Sequence, residues 1–444
     1  MGMSKKEQVF LNLNFAMLVM TLTLFYFCRA VFLPIAAVWL ALAVAEWNWR
    51  ERYRTLRDNS MLIWAGAMLF FYLLYLVGPL FSENVGTAIS QWEYKIWFLV
   101  CPVCVMPMLP KLHKRRIMLM LLVYALVTFV IALCCMSSSL WWFMQTGYTH
   151  HFFYEHAALL PYFSLGHPSY CSMYEIVAWM VMAEMVRRPD VLKDLKFPKI
   201  LAVIILVVLP VHIYLLQSKM GIATFAIVAL TYLVVWMNYP KRHVVPTVIL
   251  LAAIVAGCGF FIKSHYGEPT VDSDNRIANS VTNFKSADRD DPRESTAIRI
   301  ALWKNTWELG REHWFWGVGS GDVLDGLHAK AVEHHYRYMS SGKFNCHNQY
   351  LQTWLGIGIP GLACMLWFLC HPLWVGFRKR SLPTVLLVMV ISANILVECM
   401  LEVYAGLAFI PFALTLALYL SQIKPYGETS GKRSPGVLPS TSCG

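Results

Sequence analysis

The sequence is poor in charged side chains. Asp, Glu, Lys and Arg make up only 14% of its 444 residues, against about 25% in an ordinary soluble chain. Hydrophobic residues make up 58%. These proportions exclude a soluble globular enzyme and a disordered chain, because too few polar residues are present to cover a water-exposed surface. The fold class predicted from them is an all-α, polytopic membrane protein.

The sequence also lacks the usual signs of a metal or redox site. Most of its 12 cysteines lie inside apolar runs, where we interpret them as small buried hydrophobic residues. Cys101 and Cys104 are spaced as a pair, but no second pair and no suitably spaced histidines accompany them. Neither a zinc site nor a disulfide scaffold is predicted, and we find no internal repeat.

Apolar runs predict about 12 transmembrane helices of about 20 residues each. Their bounds are 9–28, 31–47, 61–81, 96–110, 117–142, 170–186, 199–216, 220–238, 245–263, 349–369, 382–400 and 403–423. We therefore expect helices 1–9 within residues 1–263, a large loop domain at 264–346, helices 10–12 within 347–423, and a disordered tail at 424–444.

The basic residues indicate the orientation of these helices. Loops on one side of the predicted bundle carry 23 Lys and Arg, whereas the short loops opposite carry only Arg29, Lys95 and Lys219. Since cytoplasmic loops are enriched in Lys and Arg, both termini are predicted to lie in the cytoplasm. The long loop 264–346 then lies on the outer side of the membrane.

The composition of the long loop changes midway. Its first half is polar and predicts irregular structure. From Ser295 onward, apolar residues recur at helical spacing: Ile298, Leu302, Trp303, Trp307 and Leu309. We expect a partly helical loop, with an amphipathic helix near the outer bilayer surface and its tryptophans at headgroup depth. A Gly-rich turn at 316–321 ends it, and a second helix at about 322–340 follows.

Three residues on the outer side are candidates for chemistry. Lys219 lies between two apolar runs. It is either an ordinary snorkelling lysine or a cation that faces a polar cavity. Arg299, one turn before Trp303, belongs to a solvated face, makes a cation–π contact, or points at a lipid phosphate. His347 lies at the start of the tenth predicted span. It is either a bystander beside Asn348, which caps the helix, or a general base.

His347 belongs to a longer pattern. His347-Asn348 is followed by nine residues and then by Gly358-Ile359-Pro360-Gly361. This spacing resembles the signature of the bacterial O-antigen ligase family. Further motifs are similar to those of the family over roughly residues 60–420: Ser82-Glu83-Asn84, Glu93-x-Lys95, His167-Pro168-Ser169-Tyr170, Arg299-x-x-x-Trp303 and Trp316-Gly317-Val318-Gly319.

The resemblance implies a glycosyltransferase of the bacterial inner membrane. Such enzymes take a glycan from undecaprenyl diphosphate and, in the ligases, join it to lipid A–core on the periplasmic face during lipopolysaccharide biosynthesis. The resemblance also implies catalytic roles for His347 and Arg299, and diphosphate binding by Arg299 and Lys219. Asn348, Gly358, Gly361 and Trp303 are then motif or structural residues. Donor, acceptor and membrane lipids are the expected partners, and nucleic acid is not.

One position departs from the family pattern. Ser218-Lys219 stands where the family usually has Ser-Arg. Lysine keeps the positive charge but loses the planar fork of donors, so contact of Lys219 with a diphosphate is expected to be monodentate. No acidic cluster adjoins the three candidates, and we interpret Asp288, Asp290 and Asp291 as a solvated acidic run. The reaction expected from Lys219, Arg299 and His347 needs no metal ion or cofactor. A single displacement with one base would invert the anomeric centre.

Three other functions remain open. An O-antigen polymerase uses the same carrier; polymerases tend to have two sizeable outer loops, and here the next longest is only about 143–169, which favours the ligase. A protein O-oligosaccharyltransferase differs in its acceptor. A lipid-linked glycan transporter would place ionisable residues in mid-membrane, whereas the acidic residues of the apolar runs lie near predicted span ends: Glu175, Glu184, Glu398 and Glu402.

Overall fold

The computed structural model describes residues 4–24, 29–154, 156–160, 163–164, 167–237 and 295–423. The predicted span 245–263, the first part of the long loop with its acidic run, and the predicted tail 424–444 lie outside the described residues.

The described residues are almost entirely helical. In chain order the helices are α1 (Lys5–Leu24), α2 (Arg29–Glu46), α3 (Trp49–Asp58), α4 (Leu62–Val77), α5 (Val85–Tyr94), α6 (Trp97–Lys111), α7 (Lys114–Thr146), α8 (Pro168–Arg187), α9 (Pro189–Asp194), α10 (Lys199–Leu215), α11 (Lys219–Met237), α12 (Ser295–Glu312), α13 (Val323–Glu333), α14 (Arg337–Ser340), α15 (Gln349–Arg378), α16 (Leu382–Val397) and α17 (Tyr404–Gln422). Short 3₁₀ turns cover Gly78–Leu80, Thr149–Phe152, His156–Ala158 and Met400–Glu402. Two-residue strands, β1 (Leu159–Leu160) and β2 (Phe163–Ser164), pair antiparallel.

The length and apolarity of the helices show a multi-pass membrane protein. Among the described residues, five segments are long and apolar enough to cross a bilayer: α1, α4 with its 3₁₀ extension, α7, α11 and α15. Two bent pairs, α2 with α3 (104°) and α5 with α6 (40°), raise the number to seven if each pair is one span. Shorter apolar helices cover α10, α16 and Gly406–Gln422. The predicted number of about 12 is not confirmed by these helices.

Helix α8 lies inside the bundle, although its sequence is not among the most apolar. It packs against α7, α10, α11 and α16. Polar side chains such as Ser172 and Glu175 are fully buried along it. A helix surrounded by protein can carry polar groups that find partners on its neighbours, whereas a lipid-facing helix cannot.

Residues 295–348, which we call the connecting segment, form a small helical unit before α15. The helix predicted from Ser295 is confirmed as α12, and α13 with α14 covers most of the predicted second helix. Ile298, Ala301 and Leu302 of α12 pack against Ala331 and Met339. The 3.6-residue spacing of apolar side chains thus forms the core of this unit.

The segment's tryptophans differ in their surroundings. The indole N–H of Trp303 donates a hydrogen bond to the Cys346 carbonyl, 3.1 Å away. Trp307, one turn later, is 57% exposed. Of these two predicted headgroup anchors, Trp303 is therefore bonded within the protein, and only Trp307 presents a large free surface.

Candidate active site

A single buried carboxylate joins two of the three candidate residues. Glu398 directly follows α16, and its side chain is only 6% exposed. The Arg299 guanidinium of α12 donates to Glu398 Oε1 at 2.5 Å and to the Val397 carbonyl at 3.2 Å. His347 Nδ1 lies 3.2 Å from Glu398 Oε2. Arg299 and His347, far apart in sequence, therefore meet on the two oxygens of one side chain, a group that we call the Glu398 cluster.

The surroundings of Glu398 keep it ionised. Burial alone would raise the pKa of this carboxyl, but the hydrogen bond with His347 and the positive charges of His167 and Arg299 outweigh burial, so that the pKa lies below its usual 4.5. The charge is thus paired at a site where an isolated carboxylate would be costly. Arg299 and His347 remain accessible, with side chains 22% and 30% exposed.

Local backbone structure presents His347 at the start of α15. His347 has a positive φ of 44°, a conformation uncommon outside glycine, and its N–H donates to Asn345 Oδ1 at 2.9 Å. Asn348 caps the helix, accepting hydrogen bonds from the backbone of Tyr350 (3.0 Å) and Leu351 (3.2 Å). The capping interpretation of Asn348 is confirmed, and it holds together with a bonded His347 rather than a bystander.

The two glycine motifs meet backbone against backbone. Gly358 breaks α15 with a φ of +67°, and a Cβ there would lie 1.9 Å from the Phe315 carbonyl oxygen. That oxygen accepts the Ile359 N–H at 2.9 Å. Gly317, with a φ of +80°, faces the Leu355 carbonyl in the same way, since a Cβ there would lie 2.6 Å away. Only glycine fits at such contacts, and they lock the connecting segment onto α15.

The last glycine of the motif has a different reason. A Cβ on Gly361 would lie 2.3 Å from the side chain of Ile357. Ile357 is buried immediately before the break at Gly358. Gly361 thus leaves room for the Ile357 side chain at the break, and the motif shapes the helix there.

A second buried ion pair supports the loop that carries Glu398. Lys95, fully buried, donates to Glu402 Oε1 at 2.8 Å and to the Leu401 carbonyl. The Gln349 amide donates to the same Glu402 oxygen at 3.2 Å and accepts from the Leu401 N–H at 2.7 Å. Lys95 was counted among the short outer-loop cations, but its side chain is fully enclosed by protein. It fixes the turn after Glu398 against the start of α15.

Lys219 lies at the same end of the bundle. It is the exposed first residue of α11. The preceding Ser218 hydroxyl donates to Ser169 Oγ at 3.3 Å, so the first turn of α11 packs on the first turn of α8. His167, the N-cap of α8, acts on the carboxylate of Glu398 through its charge. Lys219 is thus close to the helix start that borders the Glu398 cluster.

Three groups at this end were not predicted as site residues. Glu398, Glu402 and His167 were all noted in the sequence, but only as span-end acids or as part of a motif. An acidic side chain within an apolar run is expensive to bury and therefore indicates a partner. That signal was available for Glu398 and Glu402, but nothing in the sequence shows which cation is the partner.

A further buried pair lies deeper in the bundle. His212 Nδ1 of α10 is 2.7 Å from Glu175 Oε1 of α8, and His212 Nε2 is 3.0 Å from the Ala157 carbonyl. Both side chains are at most 2% exposed. Glu175 was expected near a span end; it lies two turns inside α8, and its partner His212 lies in the last turn of α10.

A large cavity lies at the opposite end of the helices. It has a volume of about 490 Å³, mostly apolar walls, and a rim of basic residues: Lys114, Arg187, Arg188, Lys379 and Arg380. These residues lie at the helix ends remote from His167, Gln349 and Val397. The cavity is therefore separate from the Glu398 cluster, whose Arg299 and His347 are reached from the surface instead.

Comparison with known proteins agrees with the motifs. No curated protein matches the chain. Residues 202–366 match the family model described as O-antigen ligase. The matched stretch contains Lys219, Arg299, His347, Gly358 and Gly361, whereas Glu398 lies beyond it. Over residues 202–366 the chain is therefore similar to the O-antigen ligase family, which confirms the resemblance for that stretch.

Proposed function

We propose that this protein is a membrane glycosyltransferase that moves a glycan from undecaprenyl diphosphate to lipid A–core on the periplasmic face of the bacterial inner membrane. One observation carries the proposal: Arg299 and His347, a phosphate-binding side chain and a potential base, meet on Glu398. The family domain at 202–366 supports the general class of enzyme. The ligase reaction in particular is our inference from these residues.

The distribution of charge supports a periplasmic site. The basic loops lie at the helix ends remote from the Glu398 cluster, which the positive-inside rule assigns to the cytoplasm. Exposed aromatic rings of the connecting segment, Trp314 (58%), Phe315 (41%) and Trp316 (66%), adjoin the Gly317 turn. Such rings favour the membrane–water interface. A site at that depth suits a donor and an acceptor that are both lipid-anchored.

The leaving group calls for positive charge. When the anomeric carbon is attacked, its bond to the lipid diphosphate breaks and negative charge develops on the departing phosphate oxygen. A guanidinium can bind two phosphate oxygens at once, which assigns this role to Arg299. Lys219 adds a second cation from α11 as a point charge. Since Lys219 lacks the planar fork, we assign it to general attraction rather than to oriented binding.

The acceptor hydroxyl calls for a base. As its oxygen bonds to the anomeric carbon, its proton passes to His347, and attack from the face opposite the diphosphate inverts the centre. With Nδ1 on Glu398, the imidazole is held in one orientation and its Nε2 is the nitrogen for the proton. Glu398 is then a positioning residue, which stabilises the imidazolium formed during transfer. The step as written uses no metal ion or cofactor.

The test is transfer by purified protein. Undecaprenyl diphosphate glycan is incubated with or without lipid A–core, and products are separated by size. We expect lipid A–core to be decorated, and Arg299→Ala or His347→Ala to lower the initial rate at least ~100-fold, with Lys219→Ala milder. Glycan-bearing lipid A–core formed at the wild-type rate by either of the first two variants contradicts the assignment of that residue.

The same incubation separates the closest alternatives. Longer carrier-linked glycan without lipid A–core indicates a polymerase, and transfer to an added periplasmic protein indicates a protein O-oligosaccharyltransferase. One observation favours a transporter: the buried Glu175–His212 pair lies within the helices, where transporters keep ionisable groups. Movement of the lipid-linked glycan across proteoliposomes, with no transfer to any acceptor, would support transport instead.

A further inference from the structure

Three histidines converge on a loop that the proposed reaction does not use. His150 and His151 lie in the 3₁₀ turn after α7, and His156 begins the next one. One ring nitrogen from each lies within 4.8 Å of those of the other two. The ring centroids are 4.1 Å apart for His150–His151, and 5.1 Å apart for each of the other two pairs. One nitrogen of each ring is therefore close enough to those of the other two for all three to reach a single ion.

The chemistry of the donors restricts the ligand. Three imidazoles with no other described ligand suit Zn²⁺, Ni²⁺ or Cu²⁺, whereas Ca²⁺ and Mg²⁺ prefer oxygen. Three nitrogens bound at about 2.0–2.1 Å to a tetrahedral ion lie about 3.4 Å apart. The present spacing of up to 4.8 Å closes to that value by small side-chain rotations. Because the three side chains are at least partly exposed, these rotations meet little resistance, and an ion can enter from solvent.

The backbone around the three histidines is held in place before any ion binds. Phe153 N–H donates to the His150 carbonyl at 3.0 Å, which closes the turn. Tyr154 N–H donates to the Leu215 carbonyl at the end of α10, also at 3.0 Å. The Tyr154 hydroxyl lies 3.0 Å from His167 Nε2. A loop tied to two helices loses little entropy when its side chains bind an ion.

We propose that His150, His151 and His156 form a binding site for one divalent transition-metal ion of the Zn²⁺ class, separate from the reaction centre. The ion ties the Thr149–Phe152 turn to the His156–Ala158 turn and takes no part in glycan transfer. Tyr154, which lies between these two turns, contacts His167. The bound ion therefore stabilises the loop that borders the Glu398 cluster. Each ring supplies one nitrogen, and water completes the coordination.

Direct binding tests the site. Untagged full-length protein in a maltoside detergent is stripped with chelator, dialysed, and titrated with ZnCl₂ in a calorimeter. We expect one saturable high-affinity site. His150→Ala, His151→Ala and His156→Ala should each weaken that site at least ~100-fold, since even the loss of a residue behind a metal ligand costs about 10–100-fold. Co²⁺ provides a second probe, because its visible absorption intensifies in a tetrahedral site.

A matched control exists on the connecting segment. His334 and His335 are adjacent and partly or fully exposed, like His150 and His151, but they are not part of a three-histidine group. The double variant His334→Ala/His335→Ala should bind Zn²⁺ like the wild type. Melting temperatures measured without metal check that every variant is folded. Absence of a saturable wild-type site, or equal affinity after His151→Ala, overturns the proposal.

Discussion

At the scale of single residues, the carboxylate of Glu398 decides how the candidates act. The sequence predicted Arg299 and His347 from motif spacing, and the structure joins them on one side chain. Glu398 itself was not predicted as a site residue, because its partners come from α12 and from the start of α15. Pairing between remote segments depends on tertiary packing, which local patterns do not contain.

Replacing Glu398 by Gln tests its role as a positioning residue. The amide keeps the size but loses the charge that balances Arg299 and orients His347. We expect transfer to fall at least about 10–100-fold, the loss known for groups that orient a metal-bound imidazole, mainly in kcat and with a changed pH profile. Initial rates over a range of acceptor concentrations and pH measure both effects.

The control is Glu308→Gln. Glu308 also pairs with a histidine, its carboxylate lying 2.8 Å from His334 Nε2, but at a position about one-third exposed. This variant should keep the wild-type rate and pH profile. Equal losses of transfer rate in the two variants would show that both Glu–His pairs act on folding alone. That result would contradict the positioning role of Glu398.

Acid should remove the stabilisation contributed by Glu398. Its pKa in the folded protein is below the usual 4.5, so its ionised form favours the folded state above that value. The contribution disappears as the pH falls through the folded pKa. The melting temperature of the wild type should therefore exceed that of Glu398→Gln at neutral pH, and the difference should shrink below about pH 4.5. A constant difference down to pH 3 would contradict the lowered pKa.

At the scale of elements, the sequence predicted the presence of helices better than their joints. The spacing of Ile298 and Leu302 correctly gave α12, because amphipathic periodicity is local. The break at Gly358 and its docking on Phe315 were not predicted. A glycine in an apolar run is compatible with a straight helix, a kink or a close approach, and only the packed partner decides among them.

Gly358→Ala should damage this joint. The new methyl would clash with the Phe315 carbonyl, and alanine disfavours the positive φ at this position. We expect a loss of about 3 kcal/mol of folding free energy, from strain and overpacking together. The drop in melting temperature in detergent measures it.

Gly66→Ala in α4 is the matched control. A Cβ at Gly66 would have nothing within 4 Å, and alanine is the better helix former. This variant should melt at or slightly above the wild-type temperature. A Gly358→Ala protein as stable as Gly66→Ala would show that the backbone contact between the two motifs is not required.

At the scale of the whole molecule, composition established the class and charge suggested the orientation. A multi-pass helical protein follows from the apolar runs, since a bilayer leaves few other structures possible. The predicted number of about 12 spans is not confirmed by the described helices. Bends such as the one between α2 and α3, and the enclosure of α8 by its neighbours, do not follow from the length of an apolar run.

The orientation can be measured with alkaline phosphatase fusions, which are active only outside the cytoplasm. A fusion after Gly147 or Ser341 should be active, and one after Lys196 or Arg380 inactive, because the latter two lie in the strongly basic short loops whereas Gly147 and Ser341 lie at the opposite end of the helices. Fusion protein levels are compared by immunoblot. The reverse pattern would place Arg299 and His347 in the cytoplasm and remove the proposed periplasmic reaction.

The contact between Gly358 and Phe315 anchors the break in α15. The number of residues between His347 and this break therefore sets the direction in which His347 points. In a helix of 3.6 residues per turn, one inserted residue swings the preceding chain by about 100° and shifts it by about 1.5 Å. With the far side anchored, His347 would rotate away from Glu398. An insertion or deletion among the nine residues between Asn348 and Gly358 therefore removes the alignment of imidazole and carboxylate, whereas a tolerated substitution keeps it.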